Sequence, residues 1–499
     1  MKPPMNYNGF RQGLGLLFLL AATVEGSWRE RVPEWDAGVR GGLPEVPVVR
    51  EIGPAALRAG GSELIQAAIA EVEERGTVLL PAGDYILKAP IHLAPGVVLR
   101  GRGMGRTTLI FDIPPPEEDG ESVRPAYGAV RFAGKREKRE IPIKGGHRKG
   151  STSLVMETGH GLAEGDLILV FSENDPDLMY TEERWDASWA LQSIAQIVAV
   201  AAVDAERIEL DVPLRLDYRT DLDPRIRRIE PLENAGLESM TIRGAVGFND
   251  TLVGVEASLN CWVKEVETVF TGRGHIWVNF SRYITVSGNE CHRAYDYGGG
   301  GNGYGIVAGN VATDCLYENN LLHHLRHAIM AKRGSSGNVF AYNYSTRTLR
   351  WPESKGPIAD ISIHGHYSYQ NLFEGNVVQF VESADFWGPT GPLTTFFRNR
   401  VSLFLQIQDH SHYTNLIGNE LEQGKIEIHP SVQHTLMVAN LEEGTRSGDI
   451  EADLPASLCY ARRPAFWPDT LPWPSIGPGT DPERDLVIPA QLRWEKVQK

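Results

Sequence analysis

From about residue 280 the chain keeps returning to one short phrase: a polar or small residue or Ile, two mostly apolar residues, two variable ones, then asparagine. ITVSGN ends at Asn289, CLYENN at Asn320, NVFAYN at Asn343, NLFEGN at Asn376, TTFFRN at Asn399, TNLIGN at Asn419 and TLMVAN at Asn440. Successive asparagines lie 31, 23, 33, 23, 20 and 21 residues apart, a repeat of about twenty-two with two insertions of about ten, Tyr297 to Gly305 and Thr346 to Pro357. A unit this short, built of β-branched and aromatic strands between Gly and Asn turns, cannot bury its own apolar face and must stack on its neighbours. Asparagine suits the recurring position for two reasons. It tolerates left-handed backbone torsions, and its amide can hydrogen-bond the same residue one coil away at the strand spacing of about 4.8 Å. Leucine-rich repeats share the length and the Asn, but they need a fixed run of leucines that is absent here. The pattern predicts an all-β chain coiled as a parallel β-helix.

A stacked coil exposes its end strands and needs a cap. Ser62 to Arg75 (SELIQAAIAEVEER) supplies a helix: Ser62 is a fitting N-cap, Leu64, Ile65, Ala68 and Val72 share one face, and Gly76 ends it. Residues 140–232 break the period and alternate like antiparallel strands in SLVMETGHGLAEGDLILVF and ERIELDVPL, which predicts a small β-rich insertion beside the coil. The expected organisation is a cap with the first coils over 45–139, the insertion over 140–232, the main coils over 233–450, and an irregular Pro/Trp-rich tail over 451–499 that wraps the far end.

QAAIAEVEERGTVLLPAGDYIL followed by VVLRGRG resembles the opening of the pectate-lyase-like superfamily, and LESMTIRG at Leu237 to Gly244 is similar to its later coils. With the Asn repeats, the resemblance covers about residues 47 to 113 and 235 to 445. It implies a right-handed parallel β-helix with an N-terminal capping helix, in a superfamily that hosts lyases, hydrolases, epimerases and phage adhesins. It carries across no catalytic residue. The calcium-binding Asp cluster and catalytic Arg motif of pectate lyases have no match, and HGH at 364–366 is not the GHG of polygalacturonases.

Composition narrows the partners. With 49 Lys+Arg against 64 Asp+Glu the net charge is −15, so the broad basic surface that nucleic acid requires is not expected. Lys2 and Arg11 precede an apolar run of eleven, Leu14 to Val24, too short to span a bilayer and right for the core of a signal peptide over 1–26, with cleavage after Ala22 or Gly26. A buried N-terminal helix is the alternative. No later stretch has the length of a membrane span, so a secreted, periplasmic or cell-surface protein is expected. Four cysteines, Cys261, Cys291, Cys315 and Cys459, allow at most one bridge.

If every coil is aligned on its Asn, residues ten to seventeen positions earlier share one stacked sheet, and that sheet is unusually polar and aromatic. His275 and Trp277, Arg326, His327, Lys332 and Arg333, Asp360, His364 and His366, Asp385 and Trp387, then Asp409 and His410 run down it. Such a row offers a sugar chain stacking surfaces, hydrogen bonds and proton donors and acceptors. His327, Lys332, Asp360, His364, His366 and Asp385 are the catalytic candidates. His275, Trp277, Arg326, Arg333, Tyr367, Trp387 and His410 are the substrate-binding candidates. Asp360 to Tyr369 (DISIHGHYSY) alternates with period two, which predicts Asp360, Ser362, His364 and His366 on one face.

A β-elimination lyase on an acidic polysaccharide needs a cation at the uronate carboxylate, a base for the C5 proton and a donor for the leaving oxygen. The basic, His-rich row fills those roles. A glycoside hydrolase would use the pair Asp360 and Asp385 instead. A non-catalytic carbohydrate-binding adhesin, and an epimerase or esterase, are further alternatives. The lyase reading needs no cofactor; its metal alternative is a zinc or calcium-type cation held by His364, His366 and Asp385.

Overall fold

A computed structural model describes residues 28–114, 128–180, 182–350, 358–448, 453–480 and 487–498; the expected export segment lies outside them. The chain winds as a right-handed parallel β-helix with three walls. The first sheet stacks Val339–Ala341 on Leu372–Glu374, Thr395–Phe397 and Asn415–Ile417, all parallel and in register. The second stacks Glu290–Ala294 on Leu321–His323 and Tyr344–Thr346. The third runs from Gly274–Asn279 through Tyr304–Ala308, His327–Ala331 and Ile361–Ile363 to the ends of Val377–Ser383 and Arg400–Ile407, closing on Ile426–Ile428.

The asparagines stand at the corner between the first and second sheets, fully buried. Each Nδ2 donates to the next Oδ1 at 2.9 to 3.0 Å, from Asn289 through Asn320, Asn343, Asn376, Asn399 and Asn419 to Asn440. The same Nδ2 also reaches a backbone carbonyl, as from Asn376 to Phe340 O at 2.9 Å. The corner therefore buries polar groups with every valence met, which is the condition for burying them at all. Inside the coil, Tyr317, Phe340, Phe373 and Phe396 stack with centroids 4.6, 4.7 and 5.1 Å apart. All four cysteines are free thiols, three of them buried in the coil, so no bridge contributes.

The cap is present, with a different start. The helix runs Pro54–Ala70 and is broken at Gly61, whose φ of 50° only glycine adopts freely. Ser62 sits just past that break, and its hydroxyl bonds Ala89 O and N at 2.9 and 3.2 Å rather than capping the helix. The insertion is a six-stranded antiparallel sheet whose outer strands are Lys135–Pro142 and Ser153–Val155. Its inner face, with Leu167, Phe171 and Ile197, packs on Ala257, Phe280 and Val311 of the coil. Buried Arg282 fastens it, at 3.0 Å from Asp314 in the coil and 2.7 Å from Asp211 in the insertion. The tail does not wrap the far end. Trp467, Ile476 and Ile488 cover Val339, Leu372, Phe397 and Ile417 along the first sheet, because those strands leave apolar side chains outside. It finishes in a helix, Pro489–Val497.

A candidate site on the third sheet

Ile306, Ile329, Ile361, Val381 and Ile407 enter the core. Strand alternation therefore turns their neighbours outward, and the register lines up Trp277, Val307, Met330, Ser362, Glu382, Gln406 and Glu427. Seven rungs at about 4.8 Å make a face on the order of 30 Å long. Over it lies a strap, residues 173–180 and 182–193, that joins two strands of the insertion and carries Trp185 and Trp189. Trp189 meets Trp387 edge to face at 5.6 Å and tilts against His366 at 5.8 Å. Gly365, at φ +80°, admits this approach: a Cβ there would stand 3.3 Å from the Trp189 ring.

Lys332 lies at the centre of the basic half. Its Nζ is 4.6 Å from the centre of the Trp277 ring and 5.9 Å from that of Trp189, and among the described residues no acceptor is within hydrogen-bond distance. Burial, helped by nearby Arg333 and Arg273, pushes its amine down to about 7. The rings of His327 and His364 lie 5.9 Å apart on adjacent rungs. His327 Nδ1 donates to Ala359 O at 2.7 Å, which fixes its tautomer and leaves Nε2 as the lone-pair nitrogen. His364 Nδ1 pairs with Ser362 Oγ at 2.9 Å. Burial holds His327 at about 3 and His364 well below the usual imidazole range, the latter also because His327, Lys332 and Arg326 are close. Both rings are neutral where Lys332 titrates.

The acidic half follows on the next rungs. Glu382 accepts from Gln408 Nε2 at 2.6 Å, and burial raises its carboxyl. Asp385, Asp409 and His410 each bring a ligand-capable atom within 4.8 Å of the others. The Trp185 ring meets His410 edge to face at 5.7 Å.

Several candidates stand elsewhere. Asp360 is fully buried one residue before its strand, where it accepts from Ser345 Oγ at 2.5 Å and from the amides of Gln379 and Phe380 at 3.1 and 2.8 Å. It pins a corner, and with it goes the Asp360/Asp385 pair. His275 is wholly buried and turned inward, 2.9 Å from Thr268 Oγ1 and 3.0 Å from Arg293 O. His366 is buried at φ +56° with its two ring nitrogens on the carbonyls of Trp387 and Trp185, so it braces the strap and does not share the His364 face. The pair His364 and His366 with Asp385 is for the same reason no metal set. Tyr367, at φ +54°, packs on the insertion core. Arg326 is tied to Gly298 O, and Arg333 reaches Leu191 O at 3.4 Å. Both hold loops beside the groove.

The face gathers Trp277, His327, Lys332, His364, Asp385, Trp387 and His410. Sequence reading missed Trp185, Trp189 and Arg273. The two tryptophans lie in a polar stretch, EERWDASWA, which is a signal in retrospect. Arg273 lies near Trp277, its NH2 donates to Gly300 O at 3.5 Å, and its charge acts on both Asp250 and Lys332.

No protein-family profile matches the sequence, and neither does any curated protein. Solved structures do match. The tailspike protein gp49 of Pseudomonas phage LKA1 aligns over 81 % of this chain and 80 % of its own, at 13 % identity and a TM-score of 0.51. The chain shares the parallel β-helix fold. The gp54 tailspike of Acinetobacter baumannii bacteriophage AP22, solved with a capsular saccharide, gives 10 % identity over 77 % of this chain and 67 % of its own, at a TM-score of 0.46. The A-module of the Azotobacter vinelandii mannuronan C-5 epimerase AlgE4 gives 14 % identity over 80 % and 93 %, at 0.35. At such identities the likeness concerns the β-helix alone. In the described part of this β-helix no helix is long and apolar enough to cross a membrane.

Proposed function

We propose that the chain is an exported enzyme that cleaves a uronate-containing polysaccharide by β-elimination in the groove of the third sheet, with Lys332 as the base. The observation that carries this is the Lys332 amine, set beside the Trp277 and Trp189 rings with no acceptor among the described residues and brought down to about 7. A general base works best when its pKa lies near the working pH. The free amine takes the C5 proton, the electron pair forms the C4–C5 double bond, and the C4–O bond breaks. The lysine ammonium then returns that proton to the leaving oxygen on the same face. His327 and His364 stay neutral throughout, so they position the sugar and do not compete for the proton. Arg273, whose charge acts on Lys332, meets the uronate carboxylate in this reading, where charge gathers as the proton leaves. The aromatic pair supplies stacking surface for the ring.

A second reading has one observation in its favour. Asp385 and Asp409 bring carboxylate oxygens within 4.8 Å of each other, and a retaining glycosidase needs two carboxylates close together on one groove. The test is to incubate the purified protein with a panel of uronate and neutral polysaccharides. Elimination gives the absorbance of a conjugated 4,5-unsaturated uronate, lost in Lys332→Ala and His364→Ala. Reducing ends without that absorbance indicate hydrolysis. Binding with neither signal indicates an adhesin.

A further inference from the structure

Two clusters of metal-capable side chains occur among the described residues, and they differ in whether an imidazole nitrogen is left over. On the second sheet, Glu290, His292 and His323 lie close together, but every imidazole nitrogen is used. His292 Nε2 meets Glu267 at 3.0 Å and its Nδ1 accepts from Arg293 at 2.9 Å. His323 Nε2 meets Glu290 at 2.9 Å and its Nδ1 pairs with His324 at 2.9 Å. Trp494 of the C-terminal helix covers the second ring at 4.7 Å. An ion would have to displace bonds that are already well made.

The cluster at the acidic end of the groove differs at its imidazole. His410 Nδ1 is shielded from solvent and makes no hydrogen bond among the described residues. It stands 3.3 Å from Asp409 Oδ1 and 3.8 Å from Asp385 Oδ2, poorly placed for either. Around an ion with bonds of about 2.0 to 2.2 Å, neighbouring tetrahedral ligands are roughly 3.3 to 3.6 Å apart. The two distances from His410 Nδ1 lie at and slightly above that edge length, and the two carboxylates are within 4.8 Å of each other. Supporting groups are in place as well: Ser431 Oγ donates to Asp409 Oδ1, His429 Nδ1 is 3.3 Å from the same oxygen, and Trp185 packs on the His410 ring. Groups of this kind orient ligands in metal sites.

We propose that Asp385, Asp409 and His410 bind one divalent transition-metal ion of the Zn²⁺ class. One imidazole with two carboxylates suits zinc or manganese, whereas calcium takes an all-oxygen shell of six to eight ligands. Two carboxylates balance the ion's charge, and three protein ligands leave a position open to water or to an oxygen of a bound sugar. That last role rests on the polysaccharide reading above; the binding itself does not.

The full chain, stripped with chelator and desalted, is titrated with Zn²⁺, Mn²⁺ and Ca²⁺ by calorimetry, and metal content is measured after dialysis. One equivalent of Zn²⁺ per chain is expected. Binding should weaken about 100-fold or more in His410→Gln and in Asp409→Asn and be unchanged in His323→Ala, with thermal unfolding recorded for each variant. The proposal is overturned by absence of Zn²⁺ binding, by binding that survives both groove variants, by loss of binding in His323→Ala, or by preference for Ca²⁺. If zinc binds in the expected pattern while no polysaccharide is cleaved, the enzymatic reading fails and the metal site stands.

Discussion

The second and third sheets face outward on the same coil, and both carry histidines on neighbouring rungs, yet they leave them in opposite states. On the second sheet, His292 and His323 stack at 4.7 Å with rings 12° from parallel; each nitrogen has a partner, and Trp494 lies over His323. On the third sheet, the Lys332 amine has two indole rings for company and His410 Nδ1 has no hydrogen bond. Histidine content alone therefore marks nothing on this fold. What sets the third sheet apart is an amine held beside aromatic rings in a half-covered groove, a setting that perturbs titration where a ligand could reach it.

The largest effect that should separate the two faces is Lys332→Ala. With the fold intact by circular dichroism, turnover on a cleaved uronate polymer should fall about 10²- to 10⁴-fold, the usual contribution of a positioned base. Retained turnover would erase the contrast. Trp189→Ala comes next: removing one face of the aromatic slot should raise KM about 10- to 100-fold while shifting the unfolding midpoint little, as one lost stacking contact of about 1 to 3 kcal/mol implies.

The pH profile sharpens the comparison further. Lys332 acts as the free amine, so kcat/KM should fall about tenfold per pH unit below about 7, and Lys332→Ala should lose that limb. Stability has a matching sign. The unfolded chain keeps this proton to about 10.4, so between about 7 and that value the unfolded state binds more protons and the fold gains stability as pH rises. Lys332→Met should flatten that slope in urea titrations. Smallest in activity is His323→Gln on the second sheet. It should leave turnover within about twofold and cost about 1 to 3 kcal/mol of stability, since Glu290 loses a buried partner.

How much of this could be read from the chain alone depended on whether the relevant contacts repeat. The asparagine corner declares itself because one side chain makes the same two bonds on every rung, so its period survives even around the insertions at 297–305 and 346–357. The groove face follows from that register, which is why Trp277, Lys332 and His364 were legible. Period two fails at the corners. Asp360 stands one residue before its strand, and His366 and Tyr367 turn left-handed just after it, so counting by twos assigns them to the wrong side. Trp185 and Trp189 were illegible for another reason: their partners His366, Trp387 and His410 lie 177 to 225 residues further on, and no local pattern encodes that meeting.

The strap also separates two tasks that most folds entangle. Its described residues contribute no strand to the coil and reach the groove from a sheet with its own core. A graft that exchanged only this excursion would redesign the roof and leave the floor's amine and imidazoles untouched. Descendants of such a scaffold can thus acquire new tastes without relearning how to wind.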